Sequence, residues 1–81
     1  MAKTPYKYAA IARDLLIKHM EPLWGEVTML FDWDGIDYAF YLGGGEGEWV
    51  FHIPDEVRKP LADEGYFLEP VNSSVAALYR I

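Results

Sequence analysis

Asp32, Asp37 and His52 are the residues whose types and spacing could support chemistry in this chain. Two carboxylates and an imidazole that lie together can hold a divalent metal ion, or can act as an acid and a base. In the favoured register of the predicted strands they form a row across one sheet face, although His52 could equally serve only to relieve repulsion between the carboxylates. Because an open sheet face excludes little water, we predict no catalytic residue and no metal ligand.

The glycine-rich loop at residues 43–47 is the other segment that could suggest a ligand. It contains Glu46, lacks the lysine and the Ser/Thr of a phosphate-binding loop, and connects two predicted strands instead of opening a helix. The chain also has no cysteine, which excludes thiolate metal sites and disulfides. We therefore predict no cofactor, and interpret the loop as a connection that could adapt to a partner.

A β-hairpin is the element that would position the two aspartates. Asp34-Gly35 separates two β-prone runs, residues 27–33 and 36–42, and is a preferred sequence for a two-residue type I′ turn. The resulting register places four apolar pairs on one face: Trp33 with Ile36, Phe31 with Tyr38, Met29 with Phe40, and Val27 with Leu42. The opposite face carries Asp32 opposite Asp37, Leu30 opposite Ala39, and Thr28 opposite Tyr41.

A third strand is predicted over residues 48–53, following the glycine loop. If the loop has four residues, Trp49, Phe51 and Ile53 join the apolar face, while Glu48, Val50 and His52 join the polar face. A five-residue loop would exchange the two sets. We rank it second, because it would place Glu48 and His52 in the core.

Two helices are predicted to pack on the apolar face. The first spans residues 5–20, with Thr4 as its N-cap, and ends before Pro22 because proline disfavours a helical residue ahead of it. The second begins at Pro54 and is short and kinked, since Pro60 interrupts its hydrogen bonding.

The C-terminal third predicts further β-structure. Residues 66–69 favour a strand, while residues 75–81 suit a final strand or a helix capped by Asn72 or Ser73. Together the elements predict an α+β fold with an antiparallel sheet of four to five strands, in the order α-β-β-β-α-β-(β). At 81 residues, the chain is long enough for one such domain, spanning residues 1–81.

Charge is distributed unevenly along the chain, whose net charge is −6. Residues 21–57 contain no lysine or arginine and nine acids: Glu21, Glu26, Asp32, Asp34, Asp37, Glu46, Glu48, Asp55 and Glu56. Negative charge opposes direct binding to nucleic acid or to an anionic membrane, and favours a basic protein surface as partner. No apolar run approaches the roughly 20 residues that cross a bilayer, so we expect a cytoplasmic protein without membrane contact.

We predict a partner-binding surface on the polar face of the hairpin and at its loops. Like charges that cluster on one face repel each other, which favours a role in meeting a basic groove, although a purely solubilising surface is the alternative. Tyrosine and tryptophan are enriched at the centres of interfaces. The predicted partner-binding residues are Trp24, Asp32, Asp34, Asp37, Tyr41, Glu46 and Glu48.

These features favour a small, acidic, non-enzymatic interaction protein that blocks a basic site, such as one that binds nucleic acid, on a larger protein. In size and composition the chain resembles the small acidic inhibitors encoded by phages and mobile elements, such as anti-CRISPR and anti-restriction proteins; no motif carries this resemblance. The alternatives are a dimerising or regulatory subunit without a charge-based target, and a metal-dependent enzyme that uses Asp32, Asp37 and His52.

Overall fold

The computed structural model describes residues 4–42 and 49–81. Three α-helices lie in these residues: α1 (Tyr6–His19), α2 (Glu21–Trp24) and α3 (Asp55–Asp63). Four strands form one sheet: β1 (Val27–Trp33), β2 (Ile36–Leu42), β3 (Tyr66–Pro70) and β4 (Val75–Arg80). A short 3₁₀ helix, Trp49–His52, precedes α3. The predicted α+β class is confirmed, as are the N-terminal helix, the hairpin, the second helix and both C-terminal strands.

The sheet is antiparallel throughout and has the strand order β1-β2-β4-β3. The predicted hairpin register is confirmed from Val27 opposite Leu42 to Trp33 opposite Ile36. Asp34 and Gly35 have φ angles of 50° and 80°, and a positive φ at both central residues is the property that defines a type I′ turn. The C-terminal segment is a strand rather than the alternative helix.

The third strand predicted over residues 48–53 is wrong, because Trp49–His52 forms the 3₁₀ helix. In this helix Val50 is buried and Phe51 is 51% exposed, the reverse of the predicted pattern. Val50 and Ile53 are three residues apart, which places both on the buried side of a three-residue turn. The position beside β2 is taken by β4 instead, with Tyr41 opposite Val75.

Both main helices pack against the same face of the sheet. Helix α1 buries Ala9, Ala12 and Leu16, which recur at helical spacing, and α3 buries Val57 and Leu61. With them the core contains Met20, Phe40, Leu42, Val50, Ile53, Tyr66, Leu68, Ala76 and Leu78. The sheet therefore has one face against the helices and a second face, turned away from this core.

The ends of the helices differ in detail from the prediction. The N-cap of α1 is Pro5 without a side-chain hydrogen bond, so the predicted capping role of Thr4 is wrong. Pro22 lies in the first turn of α2, where its missing N–H costs no hydrogen bond. Helix α3 continues as one helix with Pro60 inside it. None of the helices in residues 4–42 and 49–81 has the length and hydrophobicity needed to cross a membrane.

Candidate interaction surface

The sheet face turned away from the helices carries two of the predicted partner-binding residues, Asp37 and Tyr41. We define this outer face by the strand residues that alternate with the core positions: Thr28, Leu30, Asp37, Ala39, Tyr41, Phe67, Glu69, Val75, Ala77 and Tyr79. Asp37 and Glu69 give it two carboxylates, and none of these ten positions holds a lysine or arginine. The helical layer carries both signs of charge. Its α1 and α3 residues include the bases Lys7, Arg13, Lys18, Arg58 and Lys59 and the acids Asp14, Asp55, Glu56 and Asp63.

The centre of the outer face is apolar and closely covered by its neighbours. Ala39, Val75 and Ala77 are buried although they do not belong to the core cluster that the helices cover. Around them Tyr41 is 40% exposed and Phe67 is 39% exposed. Exposed aromatic side chains are enriched at protein-binding surfaces, so Tyr41 and Phe67 are the residues of this face that could contact a partner.

Asp37 is fixed to the segment that precedes α1. Its Oδ2 accepts a hydrogen bond from the backbone N–H of Thr4 at 2.9 Å, and the carboxylate is partly buried. The same end of the sheet contains a cleft of about 290 Å³, to which Asp37, Tyr79 and Arg80 contribute. The paired positions of β2 and β4 run from Tyr41–Val75 to Ala39–Ala77, so the cleft lies beyond the end of this pairing.

Asp32 and Asp34 lie at the turn end of the hairpin, and both are exposed. The pairs on either side, Phe31–Tyr38 and Trp33–Ile36, keep the predicted register, and the pairing of Asp32 with Asp37 itself stays a prediction. Asp32 has a φ of 47°, a left-handed conformation that aspartate tolerates better than most residues and that interrupts regular strand geometry.

The predicted row of Asp32, Asp37 and His52 does not form in the sheet. His52 ends the 3₁₀ helix, so it does not occupy the strand position that would have placed it opposite Asp37. Across residues 4–42 and 49–81 there is no group of three His, Asp or Glu side chains arranged to hold a metal ion.

The cations near the start of α1 make contacts within that helix. Arg13 donates a hydrogen bond from Nη1 to the hydroxyl of Tyr6 at 3.1 Å, and from Nε to Oδ1 of Asp14 at 3.2 Å. The hydrogen bonds to Tyr6 and Asp14 raise the pKa of Arg13. The ammonium of Lys7 lies 4.9 Å from the ring centre of Tyr8. Arg13 with Asp14 is the one ion pair between residues that the structure describes.

A chain of aromatic rings connects the hairpin to α1. The ring of Tyr38 lies edge-to-face with that of Phe31 at 5.7 Å and with that of Tyr6 at 6.1 Å. Phe31 was predicted to be on the core side, but it is 62% exposed. Position in β1 explains this exposure: β1 is an edge strand, and Phe31 is close to the turn end of the hairpin.

The remaining predicted residues divide into two groups. Tyr41 is on the outer face, as predicted. Glu46 and Glu48 lie outside the described residues, and so does the side chain of Trp24, whose backbone ends α2. The sequence analysis missed three outer-face residues: Glu69 and the pair Phe67 and Tyr79, whose ring centres are 5.8 Å apart. Alternation along the C-terminal strands could have identified them, since Tyr66 and Leu68 face the core.

The chain matches no protein-family model, no curated protein and no solved structure.

Proposed function

We propose that this protein is a small, acidic, non-enzymatic interaction protein that docks its outer face onto a basic site of a larger protein. The observation that carries the proposal is the charge of the outer face: Asp37 and Glu69 lie on it, and none of its ten strand positions holds a lysine or arginine. Together with the net charge of −6, these carboxylates favour approach to a positive surface.

The composition of the outer face supports the same proposal. Its exposed rings, Tyr41 and Phe67, can exclude water from a contact, and its carboxylates can pair with cations of the partner. A surface that served only solubility would need no exposed tyrosine or phenylalanine beside its acids, as Tyr41 and Phe67 are. A basic site built to bind nucleic acid is a suitable target, and blocking it in the cytoplasm would make the protein an inhibitor of the anti-CRISPR or anti-restriction class.

Affinity capture from the native host tests this proposal when matched charge variants are used. The outer-face variant Asp37→Asn/Glu69→Gln removes two negative charges, and the control Asp63→Asn/Glu64→Gln removes two exposed charges at the end of α3. We expect the wild type and the control to capture the same basic protein, and the outer-face variant to capture much less of it. Capture should weaken as salt is raised. Equal capture by all three proteins, insensitive to salt, would contradict the proposal.

A dimerising subunit is the second candidate, and the edge position of β1 favours it. Strand β1 pairs with β2 on one side only, and it has seven residues without proline or lysine, which are common protections of an edge. Two copies could pair along this edge. Sedimentation at increasing protein concentration separates the candidates: a dimer that is unchanged in the outer-face variant favours this second function.

A further inference from the structure

We propose that the free edge of β3, with the cleft between β3 and α3, binds an extended segment of a partner protein that carries an aspartate or a glutamate. The segment would add one more strand to the sheet. This site lies along the edge of the sheet and uses the charge of α3, so it goes beyond the proposed function and does not rest on it.

The hydrogen bonds at the two ends of the β3–β4 ladder show which backbone groups of β3 point outward. Strand β3 is an edge strand, with β4 on one side only. At one end the N–H of Val71 donates to the C=O of Val75 at 2.8 Å, and at the other the N–H of Ile81 donates to the C=O of Gly65 at 2.8 Å. Both bonds continue the register of the strand pairs between them.

Alternation along this ladder assigns each β3 residue to one side. Bonded and non-bonded pairs alternate between antiparallel strands, so Phe67 and Glu69 bond to β4. The N–H and C=O groups of Tyr66 and Leu68 then point to the free edge, as does the C=O of Pro70. Proline fits this position, because it has no N–H and occurs in edge strands where its nitrogen faces away from the neighbouring strand. An added strand would therefore find two donors and three acceptors.

A cleft of about 320 Å³ lies beside these groups, lined by Arg58 and Ala62 of α3 and by Phe67 and Leu68 of β3. Consecutive strand residues point to opposite faces of a sheet. A space that both Phe67 and Leu68 reach therefore lies along the edge of the strand. Peptides that add to a sheet edge gain affinity from main-chain hydrogen bonds and specificity from pockets for alternate side chains, and this cleft can supply such a pocket.

Arg58 determines the charge of the occupant. It is exposed at the cleft and has no ion-pair partner within residues 4–42 and 49–81. A carboxylate of the added segment can pair with its guanidinium, which favours an acidic segment. A second copy of β3 fits less well, because antiparallel pairing about Leu68 would place Pro70 of each copy opposite Tyr66 of the other, and each proline lacks a donor.

An acetylated and amidated pentapeptide, Thr-Val-Asp-Val-Thr, tests the strand addition at millimolar concentration, with backbone amide shifts of the protein as the readout. Its central aspartate is designed to lie opposite Leu68, which places the carboxylate on the helix side of the sheet. We expect the amides of Tyr66 and Leu68 to shift more than that of Met29 in β1. N-methylation of the aspartate should abolish binding, because it removes the donor to Leu68. N-methylation of the preceding valine should not, since that N–H points away from β3.

A charge exchange tests the part played by Arg58. We expect replacement of the aspartate in the peptide by asparagine to weaken binding about two- to five-fold, the size of one exposed ion pair. In Arg58→Gln the two peptides should bind equally. In the matched control Lys59→Gln the preference should remain, because Lys59 lines a different cleft, with His19. Circular dichroism checks that both variants fold.

Three results would overturn the proposal. No amide shift with millimolar peptide, or equal effects of the two N-methylations, would exclude strand addition at β3. A preference for aspartate that persists in Arg58→Gln would exclude the ion pair. Shifts of Tyr66 and Leu68 that follow protein concentration without peptide would assign the edge to a second copy. Each of these results leaves the proposed function standing, because capture by the outer-face variant tests that function separately.

Discussion

The backbone N–H of Thr4 donates a hydrogen bond to Oδ2 of Asp37, which joins the start of α1 to β2 across 33 residues of sequence. The bond places a carboxylate near the N-terminus of a 14-residue helix, where the helix dipole favours negative charge. One aspartate thus contributes to stability and also supplies negative charge at the cleft beside the outer face.

Replacement of Asp37 should therefore weaken the fold. We expect Asp37→Ala to lower the free energy of unfolding by about 1–2 kcal/mol, because a charge-assisted hydrogen bond in a partly buried position is lost. Asp37→Asn should cost less, since its side-chain oxygen can still accept the bond from Thr4. Urea unfolding measures both, with the exposed Asp63→Ala as control. Equal losses in the alanine and asparagine variants would show that the hydrogen bond contributes little.

Gly35 should be required for its backbone conformation rather than for space. A Cβ at this position would meet no atom within 4 Å, but the φ angle is 80°. We expect Gly35→Ala to cost about 1–2 kcal/mol of stability, the usual penalty for a left-handed residue with a side chain. Gly35→Asn should cost less because asparagine tolerates this region. Thermal unfolding tests the ranking, and an alanine variant as stable as the wild type would contradict it.

Gly65, which follows α3, provides an internal comparison for that prediction. It has a φ of 86° and equally open surroundings, so Gly65→Ala should cost a similar amount through the same backbone strain. A much larger loss at Gly35 would indicate that the hairpin turn contributes more to stability than its local geometry explains.

The hairpin could be predicted from sequence because its determinants are local. Asp34-Gly35 sets the turn, and the turn sets every cross-strand pair from Trp33–Ile36 to Val27–Leu42. The pairing of β2 with β4 could not be read in this way, since it joins Ala39 to Ala77 across a long stretch of chain. The outer-face position of Tyr41 followed from the local register, whereas its proximity to the C-terminal strands did not.

Residues 49–53 show why the third strand was predicted in error. Their alternation of Trp49, Phe51 and Ile53 fits a strand, and the same sequence also places Val50 and Ile53 on one side of a 3₁₀ turn. In so short a segment, periodicity fits a strand and a 3₁₀ helix equally well. Tertiary structure selects the helix, because β4 occupies the edge of β2 with which a third strand would have paired.

Substitutions at Val50 and Phe51 distinguish the two arrangements in solution. We expect Val50→Ala to cost about 1–3 kcal/mol, because a fully buried side chain in the core is shortened. Phe51→Ala should cost less than about 1 kcal/mol, since half of that side chain is already exposed. Urea unfolding of the two variants gives the order. The reverse order would support the strand and contradict the 3₁₀ helix.

Replacement of Pro60 by alanine should stabilise the protein. It lies inside the nine-residue α3, where proline can neither donate the hydrogen bond to a preceding carbonyl nor avoid a clash with it. Pro60 is exposed, so alanine would leave no cavity. We expect Pro60→Ala to raise the free energy of unfolding by about 1–3 kcal/mol, after allowance for the greater freedom of the unfolded chain. Chemical unfolding, together with the helical circular dichroism signal, measures the effect; a lower stability would mean that α3 depends on the shape that proline imposes.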